Sequence, residues 1–333
     1  MNKQTLGQTG PLVSRMGLGC MGMSGMYGQA DRKESIATIH SALEAGINLL
    51  DTGDFYGMGH NELLIAEALR ERSREDVVIS VKFGGMRTPT GVFIGQDCRP
   101  EAVKNFLAYS LTRLGTDYID IYRPARVDQN VPIEETVGAI AQMVQAGYVR
   151  HIGLSEMSAK TLRRAHKVHP ITDVQIEYSL FSRGIEAEIL PAARELGVGI
   201  TAYGVLSRGL LGSNWSKEKA LKGDIRGGMP RFQGENLETN LKLIDALRVI
   251  AQEKEVTLAE LSIAWVLAQG VDIVPLIGAR RRDQFSEALS AHALILNEDD
   301  LARIEQAVPS QAVAGDRYAA IQMAHLDSER TGQ

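Results

Sequence analysis

Eight short β-rich runs, each followed by a segment long enough for a helix, constrain this chain more than any other feature. They cover residues 16–20, 48–51, 77–82, 118–122, 149–155, 173–178, 198–203 and 272–277. Most are apolar at consecutive positions rather than alternating. That pattern belongs to strands of a parallel sheet buried on both faces. Parallel neighbours need crossover connections, and the intervening segments supply them. Eight such units favour a closed (β/α)8 TIM barrel over an open sheet. Helix starts are marked by Asp31 before residues 32–44 and Ser158 before residues 159–167, with Asp283 in the first turn of the last barrel helix.

The chain is expected to form one domain. Residues 1–14 precede the barrel, with a hairpin over 6–14; the barrel spans 15–290, and 291–333 form a C-terminal helix and tail. The polar tail from residue 310 is expected to be partly disordered at its end. Residues 207–235 form the longest stretch without clear periodicity. Its glycines and basic residues suit a belt over a phosphate-bearing ligand, and a mobile surface excursion fits equally well.

The 333 residues carry a net charge of -5, with 44% hydrophobic and 23% charged side chains. This is a soluble, globular composition without the basic footprint of nucleic-acid or anionic-membrane binding. The N-terminus lacks the apolar core of a signal peptide, and no apolar run is long enough to span a bilayer. Cys20 and Cys98 are the only cysteines. Two make no disulfide framework and fit a reducing cytoplasm, the expected location. Buried, inert thiols are the expectation for both. The histidines show no metal-ligand spacing, so no metal is expected.

Functional groups of such a barrel collect at the C-terminal ends of its strands. Asp51 ends the second run, with Asp54 and Tyr56 just after it. Lys82 ends the third, Ser155 and Glu156 the fifth; Gln175 lies in the sixth and Tyr203 ends the seventh. A lysine ending an apolar run is costly unless paired, and Asp51 is the natural partner. One reading is a structural ion pair at the rim; with Tyr56 nearby, a catalytic function emerges. A tyrosine has a free pKa of about 10 and is a weak acid at neutral pH. An ammonium about 4 Å away, at an effective dielectric near 20, favours the phenolate by up to about 4 kcal/mol.

Asp51-x4-Tyr56-Gly57 with Lys82 at a strand end resembles the Asp, Tyr and Lys of the aldo-keto reductase tetrad. Gly153-Leu-Ser-Glu156 and Gln175-Ile-Glu-Tyr-Ser179 resemble that family's nicotinamide-amide contacts, and Tyr203 its ring-stacking aromatic. The likeness runs from Leu6 to the ending around Arg317 to Glu329, closest to the bacterial and plant branch with Gly-Leu-Gly-Cys-Met-Gly-Met near the N-terminus. Pro275-Leu-Ile-Gly-Ala-Arg-Arg-Arg282 offers a glycine, a helix start and three arginines to an anion. It reads either as a solvated basic turn or, as the resemblance implies, as a clamp for the 2'-phosphate of NADPH. Gly278 and Arg280 are the candidates there, with Gln284 and Glu287 on the adenine side. Leu206, Gly209 and Lys217 are candidates in the long loop. Ala279 and Ala288 depart from the hydroxyl residue and asparagine common at their positions. No Gly-x-Gly-x-x-Gly follows a strand, which disfavours a Rossmann domain. Met21, Met23, Met26, Tyr27, Phe55, Met58 and Met86 fall near the first three loops and are candidates for an adaptable apolar pocket.

One departure stands out. In Tyr118-Ile-Asp-Ile-Tyr-Arg-Pro-Ala-Arg-Val-Asp128, the resemblance places Ala125 where the family carries a histidine that bonds the substrate carbonyl. Losing such a donor costs about 2.7–4 kcal/mol, or roughly a hundred- to a thousandfold in rate. Two readings follow. In one, Tyr56 protonates the carbonyl, a water or a residue such as His60 fills the gap, and Ala125 leaves room for a bulkier ketone. In the other, the protein binds NADPH as a catalytically weak sensor or regulator. An engineered substitution is a third origin for Ala125. The expected activity is NADPH-dependent reduction of small-molecule aldehydes or ketones, including xenobiotic or simple aromatic carbonyls. No nucleic-acid or membrane partner is expected, and the oligomeric state stays open.

Overall fold

In the computed structural model, residues 1–212 and 225–330 are described. Strands β3 (Gly17–Gly19), β4 (Leu49–Gly53), β5 (Val78–Phe83), β8 (Ile119–Pro124), β9 (Val149–Ser155), β10 (Ile171–Glu177), β11 (Gly199–Tyr203) and β12 (Ile273–Gly278) close into a barrel in that order. Every adjacent pair is parallel, and β12 returns to β3 through Leu276↔Gly17. β4, β5, β8 and β10 are buried along their whole lengths, as consecutive apolar runs require.

Helices α1 (Arg32–Glu44), α2 (His60–Ala68), α3 (Pro100–Leu114), α4 (Ile133–Gln145), α5 (Ala159–Val168) and α6 (Ile189–Leu196) form the crossovers up to β11. Asp31 caps α1 by accepting from Glu34 N, and Ser158 caps α5 by accepting from Thr161 N. Two helices, Gly234–Glu253 and Leu258–Ala268, lie between β11 and β12, and Arg282–Ser290 follows β12. Asp283 is in the first turn of that last helix, while its cap position is Arg281.

The expected N-terminal hairpin pairs β1 (Lys3–Thr5) with β2 (Leu12–Ser14), with residues 6–11 as its turn. That turn plugs the barrel floor. Gly7 has φ +63, and a Cβ there would lie 2.4 Å from Thr172 O, so a tight left-handed turn and close packing both require glycine. A second hairpin, β6 (Gly85–Arg87) with β7 (Phe93–Gln96), leaves β5 without any expectation from the sequence. In the polar tail, Arg317 and Leu326 are buried while Ile321 is exposed; the disorder expected at its end falls on positions 331–333, which lie outside the described residues. No described helix is long and apolar enough to cross a membrane.

Candidate active site

The turn between β4 and α2 carries Tyr56 over the strand ends. Tyr56 N donates to Gly53 O at 3.0 Å, and Asn61 N donates to Tyr56 O at 3.2 Å. Asn61 locks the turn to two neighbours, accepting from Thr52 Oγ1 at 2.6 Å and donating to Cys20 O at 2.8 Å. Asp54 N donates to Lys82 O at 2.9 Å, which fixes the turn against the end of β5.

Beneath Tyr56, Lys82 Nζ donates to Asp51 Oδ2 at 2.6 Å and to Gln175 Oε1 at 2.7 Å. Gln175 Nε2 donates to Asp51 Oδ1 at 2.7 Å, closing a three-membered ring of side chains. All three are buried. The Lys82 ammonium sits 5.2 Å from the centre of the Tyr56 ring. Burial lowers the Lys82 pKa, and Asp51 opposes that shift. Burial, then the Asp51 charge, raises the Tyr56 phenol well above its ordinary value, while Arg126 pulls it down. The site thus differs from the expectation that Lys82 makes Tyr56 a stronger acid. Asp51 neutralises the ammonium, and burial dominates. Tyr56 keeps its proton at neutral pH.

A second polar layer lies deeper in the barrel. Arg123 Nη1 donates to Asp173 Oδ2 at 2.8 Å, and Nη2 donates to Ser80 Oγ at 3.0 Å. Ser80 Oγ in turn donates to Asp51 Oδ1 at 3.1 Å. Arg123 and Asp173 are fully buried. Sequence reasoning missed this pair, because the partners are fifty residues apart.

At the mouth, Ser155 Oγ is buried without a hydrogen-bond partner among the described residues. It ends β9, directly beside Gln175 on β10. Glu156 is placed differently from expectation. It is a buried residue with φ +53, in the left-handed region. Its carboxylate accepts from Arg317 through both oxygens, from Tyr203 OH at 2.7 Å, from Ser328 Oγ at 2.6 Å and from Glu177 N at 3.1 Å. Burial raises its pKa, but Arg317 outweighs that and holds it far below the usual carboxylate range. With its acceptors spent, Glu156 anchors the C-terminal segment instead of facing a ligand. The Gln175 amide is likewise taken up by Lys82 and Asp51.

Tyr203 is partly exposed, and its hydroxyl lies 2.8 Å from that of Tyr318. Arg208 stacks over Tyr318 at 4.4 Å and pairs with Glu177 at 2.9 Å. Sequence reasoning missed Tyr318, Arg208 and Glu177. The available signal was the acids at the ends of β9 and β10, which need cations once buried.

Among the pocket candidates, Met21, Tyr27 and Phe55 are partly exposed and Met58 is exposed. Phe55 packs edge-on against Tyr56, ring centres 5.0 Å apart. Met23 is a correction: it is buried in the hydrophobic core with Cys20 and Leu64. Ala125 is buried one residue beyond β8, its N–H donating to Phe83 O at 2.9 Å. His60 does not fill the space beside it, being exposed at the start of α2 with Nδ1 3.0 Å from Ser24 Oγ.

At the far end of the mouth, Arg280 Nη1 donates to Tyr27 O at 2.7 Å, joining the loops after β12 and β3. Gln284 Oε1 accepts from Arg280 N at 3.3 Å. Glu287 is half-buried on the same helix. Arg281 and Arg282 are paired with Asp283 and Glu34. A Cβ at Gly278 would meet nothing within 4 Å. Leu206 and Gly209 flank a short turn after β11, with Gly209 at φ +92. Lys217 lies outside the described residues. Cys20 and Cys98 are buried free thiols whose pKa values burial raises.

A parallel eight-stranded barrel with a tyrosine, lysine and aspartate gathered at its C-terminal rim defines a narrow class. Residues 15–309 match the Aldo/keto reductase family. A probable aldo-keto reductase 1 from Glycine max is 43% identical over 316 residues, covering 94% of this chain and 90% of that protein. A glycerol dehydrogenase from Gluconobacter oxydans superposes with a TM-score of 0.84 at 27% identity, over 98% of this chain and 96% of that one. The holo form of a Bacillus halodurans aldo-keto reductase gives 0.76 at 28% identity, over 93% and 97%. The chain belongs to the aldo-keto reductase family. It is thereby an oxidoreductase of a family that reduces carbonyl groups with a nicotinamide cofactor.

Proposed function

We propose that this protein reduces aldehydes and ketones with NADPH, using Tyr56 as the proton donor. The observation that carries this reading is the buried Asp51, Lys82 and Gln175 ring beneath the Tyr56 phenol. The phenol stays protonated until negative charge develops on the carbonyl oxygen. Lys82 then offers the adjacent positive charge, held in place by two hydrogen bonds.

The residues fit a nicotinamide. The orphaned Ser155 Oγ suits a carboxamide, and the Tyr203 ring stands at the end of β11, two strands along the rim. Gly278 is not required by the protein's own packing, which suits close approach by a phosphate. Arg280 supports NADPH over NADH, with Gln284 and Glu287 beside it. Leu206 and Gly209 suit the middle of the cofactor. When bound, the cofactor supplies the hydride. Met21, Tyr27, Phe55 and Met58 favour an apolar or bulky carbonyl compound. The partner is a small molecule in the cytoplasm, not a nucleic acid or membrane.

The test is NADPH oxidation by the purified protein with small aldehydes and bulky cyclic ketones. Tyr56→Phe should lower kcat at least about a hundredfold while NADPH affinity is unchanged. Loss of NADPH binding at an unchanged kcat would remove Tyr56 from this role. A wild-type protein that binds NADPH and turns over no carbonyl would instead favour the sensor reading suggested by Ala125.

A further inference from the structure

Arg126 follows directly after Ala125, and its side chain does not leave the barrel mouth. Nη1 donates back to Ala125 O at 2.6 Å, which folds the guanidinium over the end of β8. Nη2 lies 3.4 Å from Tyr318 OH, itself 2.8 Å from Tyr203 OH. The guanidinium therefore sits between the end of β8 and the end of β11. Its charge reaches both Tyr56 and Lys82, lowering the proton affinity of each.

The pairing pattern sets Arg126 apart from its neighbours. Arg317 and Arg208 are tied to carboxylates at the same mouth. Arg126 has no carboxylate within 4.0 Å among the described residues; its contacts are one carbonyl and one phenol. A half-buried guanidinium whose anion, Glu156, acts on it only from beyond ion-pair distance leaves its donors open to a further acceptor. It is also one whose charge never titrates away and whose N–H donors form a rigid fork. Ala125 brings only a methyl group to the same strand end.

We propose that Arg126 is a catalytic residue that donates a hydrogen bond to the substrate's carbonyl oxygen. This rests on the carbonyl-reduction reading above. In the step, a bound nicotinamide cofactor would supply the hydride that forms a C–H bond at the carbonyl carbon. The C=O π pair moves to oxygen, and Tyr56 Oη delivers its proton there. The phenolate left behind faces Lys82 and Arg126 and is reprotonated from solvent. Arg126 stabilises the oxygen while its charge grows, and then the phenolate. Tyr318 OH, bonded to the guanidinium at 3.4 Å, gives way to the carbonyl.

The experiment uses the full chain and an uncharged aldehyde, so that no substrate anion confounds the reading. Arg126→Ala should lower kcat by about a hundred- to a thousandfold, with NADPH affinity within about twofold of wild type. Added guanidinium ion should restore part of that kcat in Arg126→Ala and nothing in Tyr56→Phe. Ala125→His in the Arg126→Ala background should recover turnover by placing a donor one residue away. A kcat within about threefold of wild type in Arg126→Ala overturns the proposal. So does a loss that neither guanidinium nor Ala125→His relieves, since that marks a structural role. Activity lost only toward substrates bearing a carboxylate also overturns it, making Arg126 an anchor for a substrate anion. A wild type that reduces no carbonyl removes the function reading and this proposal together; an active wild type with an active Arg126→Ala removes this proposal alone.

Discussion

Replacing Asp54 by asparagine should make the protein more resistant to alkaline unfolding. Asp54 is buried in the turn that carries Tyr56. The backbone N–H groups of Gly84 and Phe55 face its carboxyl, but neither closes a hydrogen bond of ordinary geometry. Burial, then the nearby Glu62 charge, pushes its pKa up to about 8, against a weaker pull from Arg113. In the unfolded chain the pKa is about 3.9. Between these values the folded state holds a proton that the unfolded state has released. Stability therefore falls as pH rises toward 8 and levels off above it. From pH 6 to pH 9 the loss is about 3 kcal/mol, since each pH unit below the folded pKa is worth about 1.4 kcal/mol. Asparagine cannot titrate and escapes it. With an unfolding entropy of about 2.1 cal/mol/K per residue, 3 kcal/mol corresponds to roughly 4 °C in Tm for this chain. Urea denaturation of wild type and Asp54→Asn at both pH values removes the contribution of every other titrating group. The variant's advantage should grow by about 3 kcal/mol between pH 6 and pH 9. A change below about 1 kcal/mol would mean that Asp54 ionises at an ordinary carboxylate pKa, and the reasoning fails.

Asp173→Asn should be among the most damaging single changes. It strips the charge partner from fully buried Arg123, at about 3–5 kcal/mol, or roughly 4–7 °C in Tm by calorimetry. Arg280→Met should raise the Kd for NADPH about tenfold or more, the worth of one charge-assisted contact, and leave NADH binding nearly unchanged; equal weakening of both in fluorescence titrations would place Arg280 away from the 2'-phosphate.

The barrel was legible because its strands are buried on both faces, and burial writes itself as consecutive apolar residues. All eight lie within a few positions of their expected bounds. Local capping was legible too, since Asp31 and Ser158 act on N–H groups three residues away. The β6–β7 hairpin was not. Phe93 and Ile94 are exposed, and its register shifts between Met86 and Arg87, so neither a core face nor strict alternation marks it. The anchoring of the tail was not legible either. Its polarity suggests solvent, yet Arg317 is buried because Glu156, 161 residues away, needs a cation. In the site, spacing brought Asp51, Tyr56 and Lys82 to one rim but did not tell which polar groups were already satisfied. Glu156 and Gln175 look identical to ligand contacts in sequence. Only their partners show that one anchors the tail and the other supports Lys82.

Shared hydrogen bonds explain how so many charges persist inside one barrel, although Arg123 Nε and Asp173 Oδ1 have no partner among the described residues. A buried charge destabilises when it is left without partners. Here Asp173, Arg123, Ser80, Asp51, Lys82 and Gln175 form a continuous chain of hydrogen bonds from the core to the rim. Two arginines from the same segment flank Ala125 in sequence, Arg123 inside the barrel and Arg126 at its mouth. Both lower the proton affinity of Lys82, while Asp51 raises it. At Tyr56 the Asp51 charge and the Arg126 charge act in opposite senses, and Asp51 is itself bonded to Lys82 and, through Ser80, to Arg123. Titration of the activity should therefore respond to Arg123 and Arg126 alike, whereas only Arg126 lies where a small guanidinium ion can replace it.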